Sequence, residues 1–280
     1  VKNLAADDAC GQHSRRVLAN EETNGMCRFL AYSGDAIFLE DLVCKPRHSL
    51  VRQSLQASEA KTATNGDGFG IGWYGERDTP GVYREVMPAW SDENLLAVCA
   101  NVRSRLFMAH VRASTGGGVS RLNCHPFHLG RYLFIHNGQV GDFPRLRRGM
   151  EAQLPDALYD LRRGATDSEL LFLLVMAHLQ EGASVEAAFQ AVLHGTAADM
   201  AARGIETPLR FSAALADGER LWAVRWASDD KPPSLYVKPQ PGGWAIASEP
   251  LGDDAEAWSP MARNEVALVH AGRMHRQPLA

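Results

Sequence analysis

What most constrains this chain is an abrupt change of character at Met26–Cys27. Residues 1–26, VKNLAADDACGQHSRRVLANEETNGM, are polar and hold no sustained apolar period. Such a segment buries too little surface to offset the entropy of ordering it. It reads as a leader, either a removable propeptide or the product of a start site placed too far upstream. At Cys27 the chain turns at once into MCRFLAYSG, an apolar run of strand character. The folded part is therefore expected in 27–280, a length that supports a large core without staples.

Within that part the pattern alternates between strand and helix signals. HSLVRQSLQASEAK has apolar residues at helical spacing, and Ser91 ahead of DENLLAVCANVRS predicts a capped helix. LFMAHVRAS and RYLFIHNGQV read as buried strands joined by a glycine-rich loop. Thr166 and Glu169 form a capping box before LLFLLVMAHL, and SVEAAFQAVLHGTAADM predicts a second helix behind it. RFSAALADGERLWAVRWAS places an Asp-Gly turn between two strand-like runs, a hairpin signal. SLYVKPQPGGWAIASE repeats the theme, and NEVALVHAG adds one strand more. No Pro/Gly-rich linker divides 27–280, so one domain of sheets covered by helices is expected.

Several function classes drop out. The net charge of −4 and the lack of a basic tract argue against nucleic acid as a partner. No run approaches the roughly 18 apolar residues of a membrane span. The N-terminus lacks the apolar core of a secretory signal, so a cytoplasmic location is expected. The cysteines, at 10, 27, 44, 99 and 124, are odd in number and form no C-x-x-C, which predicts reduced thiols rather than a disulfide framework. Gly70 to Gly75 matches G-x-G-x-x-G, but ERDTPG follows where a dinucleotide site needs a helix. Cys124, His125 and His128 lack the fourth ligand and paired spacing that zinc requires, so no metal is expected.

Four fragments remain: Met26-Cys27, AHVRAST, HNG and TDSE. Singly, each has a bland reading. Cys27 can be a buried small hydrophobe, Arg112 an arginine snorkelling to solvent, His136-Asn137-Gly138 a turn, and Asp167 a charge favourable to a helix dipole. Together they make a chemical set. Amide cleavage needs a nucleophile, a base and oxyanion donors. A substrate with an amino acid end also needs a cation for its carboxylate and an anion for its ammonium.

The order MCRFLAYSG, GDGFGIGWY, AHVRAST, NCHPF, FIHNGQV, TDSE resembles the class II glutamine amidotransferases, over most of 27–280. The resemblance implies the N-terminal nucleophile hydrolase fold: an α+β, four-layer αββα sandwich of two mainly antiparallel sheets. It implies that Cys27, exposed as the first residue of the mature chain, attacks a side-chain amide with its own freed α-amino group as base. Asn137 and Gly138 correspond to the oxyanion hole. Arg112 corresponds to the residue that binds the substrate α-carboxylate, Thr115 to a supporting hydroxyl, and Asp167 to the acid that holds the ammonium. The histidine of the N-x-H-P segment falls on His125, to which no role is assigned. No cofactor is implied.

The expected reaction passes through a γ-glutamyl thioester and releases glutamate with ammonia or an amine. Three readings stay open. The chain is a stand-alone hydrolase of a γ-glutamyl amide, or a glutaminase that delivers ammonia to a separate synthase partner, or an inactive amino-acid-binding module. Arg112 and Asp167 grip only the glutamyl end, so they do not separate the first two.

Overall fold

The computed structural model describes residues 27–56, 64–114 and 118–279. The leader, Thr115 and the end of the first expected helix lie outside them.

Thirteen strands are described. They are β1 Arg28–Phe38, β2 Phe69–Trp73, β3 Gly81–Glu85, β4 Arg103–Val111, β5 Phe127–Leu129, β6 Tyr132–Gln139 and β7 Arg210–Ala216. The rest are β8 Leu221–Ala227, β9 Tyr236–Gln240, β10 Gly243–Ala247, β11 Ser259–Pro260, β12 Glu265–His270 and β13 Arg273–Pro278. The α-helices are α1 Glu40–Val43, α2 Leu50–Leu55, α3 Glu93–Asn101, α4 Phe143–Glu151, α5 Asp156–Tyr159, α6 Asp167–Gln180 and α7 Val185–Ala202.

The strands form two sheets, in the orders β11-β9-β10-β1-β4-β2-β3 and β13-β12-β8-β7-β6-β5. Every pairing is antiparallel. Side chains alternate between faces along a strand, so each strand feeds two cores. Phe29 and Ala31 of β1, Met108 of β4 and Leu133 and Ile135 of β6 pack together between the sheets. Leu30, Tyr32, Phe107 and Ala109 pack on the opposite face with Leu42, Leu50 and Leu95 of α1–α3. Phe134, Phe211 and Val224 pack under Phe172, Val175 and Phe189 of α6 and α7. The result is the expected αββα sandwich. In α6 every residue from Ser168 to Ala177 is buried, as befits a helix that is apolar all round.

The hairpins fall where the turns predicted them. Residues 217–220, opening on Asp217-Gly218, join β7 to β8, and Pro241-Gly242 joins β9 to β10. The helix expected after Ser91 begins one residue later. Asp92 is its cap, accepting from Leu95 N at 2.7 Å, while Ser91 sits in a 3-10 turn and donates to the Pro88 carbonyl. The Gly-x-Gly spacing of β2 also acquires a cause. A Cβ at Gly70 would run into the carbonyl oxygen of His125, and one at Gly72 into Pro126 and Leu133. The glycines let the Cys124–Pro126 segment lie on the strand.

Candidate active site

Cys27 immediately precedes β1, whose first residue, Arg28, is paired with Val111 at the end of β4. That register sets Cys27 across from Arg112. Alternation does the rest. Phe29 and Ala31 face the gap between the sheets, so Cys27 does too. On the second sheet Leu133 and Ile135 face the same gap, which turns Asn137 into it. The two strand ends thus bring the nucleophile candidate and the amide of Asn137 to one end of the sandwich.

The Cys27 sulfur lies 3.4 Å from both the N–H and the carbonyl oxygen of Ala113. Burial pushes its thiol pKa up, and the Ala113 backbone contact and the charges of Arg112 and Arg28 partly oppose this. Asn137 is 3% exposed, and its Nδ2 has no acceptor among the described residues. An unmatched buried donor is costly, of the order of 1–3 kcal/mol, and needs an explanation. Gly138 adopts φ +151°, and a Cβ there would strike the Arg210 carbonyl and the His136 ring. Only glycine fits this place.

Arg112 is 4% exposed, which rules out snorkelling. Its guanidinium donates to Ser114 Oγ at 3.0 Å and to the Asp67 carbonyl at 3.4 Å. The Asp67 carboxylate accepts from Ser114 N at 2.7 Å and so braces the same corner. Asp167 is the first residue of α6. It is not the cap, a role taken by Thr166, whose hydroxyl accepts from Glu169 N at 3.2 Å. Asp167 Oδ2 accepts from Val140 N at 2.9 Å and Oδ1 from Ser168 N at 2.8 Å, tying the helix start to the end of β6. A carboxylate has about four acceptor sites, so capacity for an ammonium remains.

Three histidines stand beside this centre. His110 and His125 have ring centroids 4.1 Å apart, and His110 Nε2 lies 3.3 Å from the His136 carbonyl. His136 Nδ1 lies 2.8 Å from Ser168 Oγ. Burial lowers the pKa of His110 to about 3, that of His136 to about 4, and that of His125 well below the ordinary range. All three are neutral near pH 7.

A cavity of about 540 Å³ gathers Cys27, Arg112, Gly138 and Asp167, with His125 and His136 in its wall. Asn137 is not among the lining residues; it is buried on the inter-sheet side of β6, next to Gly138, which does line the cavity. Thr115 lies outside the described residues; among those described, Ser114 offers a hydroxyl to Arg112. Three supports were missed in the sequence. Asn123 Oδ1 accepts from Ala165 N at 2.9 Å and shapes the loop before Asp167. Ser168 bridges Asp167 and His136. Arg28 donates to the Cys27 carbonyl. All three lie within the motifs read above, Asn123 in NCHPF, Ser168 in TDSE and Arg28 in MCRFLAYSG, but adjacency in sequence does not reveal what a side chain touches.

A family model described as glutamine amidotransferases class-II matches residues 26–232. The chain is 29% identical over 257 residues to gamma-glutamyl-hercynylcysteine sulfoxide hydrolase of Mycolicibacterium smegmatis, covering 91% of this chain and 100% of that one. It is 36% identical over 160 residues to the probable glutamine amidotransferase DUG3 of Saccharomyces cerevisiae. That match covers 54% of this chain and spans only 45% of the yeast protein. Among solved structures, a glutamine aminotransferase class-II domain protein from Silicibacter pomeroyi superposes with TM-score 0.71 at 35% identity, covering 91% and 100% of the two chains. Glutamine phosphoribosylpyrophosphate amidotransferase of B. subtilis aligns with TM-score 0.62 at 13% identity, covering 91% of this chain and 49% of that one, a likeness of fold alone.

Proposed function

The chain belongs to the class II glutamine amidotransferases, and on that premise we propose that it hydrolyses γ-glutamyl amides through a thioester on Cys27, in a mature form that begins at that residue. The observation that carries this reading is the convergence on one cavity of a half-buried thiol, a buried guanidinium and a carboxylate, beside a strand whose Asn137 holds a buried amide donor without an acceptor among the described residues.

The steps follow from the chemistry of each group. Arg112 binds the substrate α-carboxylate and Asp167 its ammonium, which lays the side-chain carbonyl against Cys27. The thiol, its pKa raised, is neutral, so attack needs a base. The neighbouring histidines have too little proton affinity for that work. A freed α-amino group, with an ordinary pKa of about 7.7–8.0, is matched to neutral pH. It takes the thiol proton as sulfur bonds to the carbonyl carbon. The oxygen, now negative, is met by Asn137 Nδ2 and the Gly138 N–H. The same ammonium then gives its proton to the departing nitrogen as the C–N bond breaks. Water, deprotonated by the amine, cleaves the thioester to glutamate.

The cavity supports an amine larger than ammonia. Sites for drug-sized ligands occupy roughly 300–1,000 Å³, and about 540 Å³ lies within that range. The test is glutamate release from glutamine and from γ-glutamyl amides of larger amines, with protein whose first residue is established by mass spectrometry. Cys27→Ala should abolish release. Full activity with residues 1–26 still attached would sink the mechanism.

A further inference from the structure

Behind the nucleophile, on the face of β1 turned toward α1–α3, runs a buried chain of charged groups. Arg28 follows Cys27 directly and is fully buried. Its Nε donates to Glu249 Oε2 at 2.8 Å, and its Nη1 donates to the Cys27 carbonyl at 3.1 Å. Glu249 lies just past β10 and is itself buried; its other oxygen is 2.5 Å from Nε2 of the partly exposed His48. Gln53 of α2 donates to the His48 carbonyl at 2.9 Å and to the Pro250 carbonyl at 3.5 Å, clamping the two flanking segments.

Packing alone does not call for this arrangement. Burying an ion pair costs several kcal/mol per ion, and apolar side chains of similar volume often serve stability as well or better. Leu30 and Tyr32, next along the same face, are apolar and fully buried. What the guanidinium adds is its hold on the carbonyl of the reacting residue. In a chain that begins at Cys27 no preceding peptide plane fixes the amine. Its direction depends on rotation about the Cα–C bond, and two anchors set that rotation: Sγ against Ala113, and the carbonyl against Arg28.

We propose that Arg28, backed by Glu249 and His48, is a positioning residue that holds the Cys27 carbonyl so that the freed α-amino group sits where it can take the thiol proton. This rests on the reading of Cys27 as the N-terminal nucleophile. A positioning residue of this kind acts on turnover rather than on capture, because the substrate's charged end is gripped elsewhere, by Arg112 and Asp167.

The test uses mature protein with Cys27 confirmed as first residue, and a γ-glutamyl amide as substrate. Arg28→Met strands the Glu249 carboxylate and invites misfolding, so the informative variant is Arg28→Met with Glu249→Met, which removes both charges together. It should fold, lower kcat tenfold or more, and leave KM within about twofold. His48→Gln, at the solvent end, should keep the fold and lower kcat severalfold at constant KM. A folded double variant with wild-type kcat overturns the proposal, as does loss seen only in KM. Should the double variant not fold, unchanged kcat in His48→Gln overturns it. Cys27→Ala separates the two ideas. If it stays active, the nucleophile reading falls. If it is dead while the Arg28 and His48 variants keep kcat, only the positioning role falls.

Discussion

At Cys27 burial and charge work against each other. Burial disfavours the thiolate, while Arg112, Arg28 and the Ala113 N–H favour it, and the net shift is upward. The sulfur is therefore held as the neutral thiol; in the proposed mechanism it ionises as it attacks, and the oxyanion donors meet the charge that develops. Asn137→Ala should lower kcat about a hundredfold to a thousandfold with little change in KM, as loss of one such donor commonly does. An unchanged kcat would reassign the unmatched Nδ2 to a structural cost. In the proposed mechanism Arg112 and Asp167 act on capture instead. A charge-assisted hydrogen bond contributes about 1.5–3 kcal/mol, and about 1.4 kcal/mol is a factor of ten. Arg112→Lys should thus raise KM tenfold or more, since lysine lacks the planar fork. Asp167→Asn should erase the preference for a free over a blocked α-amino group. If kcat/KM for the two substrates keeps its wild-type ratio in Asp167→Asn, the carboxylate only ties α6 to Val140. That Cys27, Arg112, Gly138 and Asp167 meet at one cavity was legible in the sequence, because the chemistry fixes their types and the motifs fix their order. Glu249 was not, since nothing in ASEP announces a carboxylate paired with Arg28 across 221 positions.

Elements show the same divide between local and distant causes. The hairpins at Asp217-Gly218 and Pro241-Gly242 were legible because a turn is written in adjacent residues. So was the start of α6, with one difference. Only half of the expected capping box forms: Thr166 accepts from Glu169 N, but the Glu169 carboxylate accepts from Arg163 N and Gly164 N instead of turning back to Thr166. The acid thereby braces the loop that carries Asp167 to the cavity. At α3 two neighbouring polar residues both suit a cap, and the choice depended on which one the preceding 3-10 turn absorbed. Asp92→Ala should cost about 0.5–2 kcal/mol of stability, while Ser91→Ala, at an exposed turn hydroxyl, should stay within about 0.5 kcal/mol. Chemical denaturation of the two variants decides it, and equal losses would return the cap to Ser91. The strand β13 was not legible. RMHRQP is polar and mostly exposed, and it is a strand because β12 offers it an open edge.

At the scale of the whole molecule, the three histidines link the cores. His110 faces the layer between the sheets, while His136 stacks on Phe211 at 4.7 Å on the side of the second sheet covered by α6 and α7. That His110, His125 and His136 would meet was not legible in the sequence, because three separate segments supply them. Folding holds all three neutral, with His110 at about 3, His136 at about 4 and His125 displaced in the same direction. In the unfolded chain each titrates near its ordinary value of about 6.5. Between those limits the unfolded chain binds protons that the native state refuses, so stability rises with pH there. The native state should therefore be unaffected by this group above about pH 7, and lose stability as the pH falls from about 6.5 toward 4, by up to about 1.4 kcal/mol per unit for each histidine. His125 offers the cleanest control. Neither of its ring nitrogens has a partner among the described residues, so His125→Phe sacrifices no hydrogen bond there and keeps the edge contact with Phe127. Urea unfolding of wild type and His125→Phe at pH 7.5 and pH 5.0 should show a smaller loss in the variant on acidification. Parallel pH dependences in the two proteins would mean that His125 takes up its proton without unfolding, and that the neutral cluster does not set the acid limit of this fold.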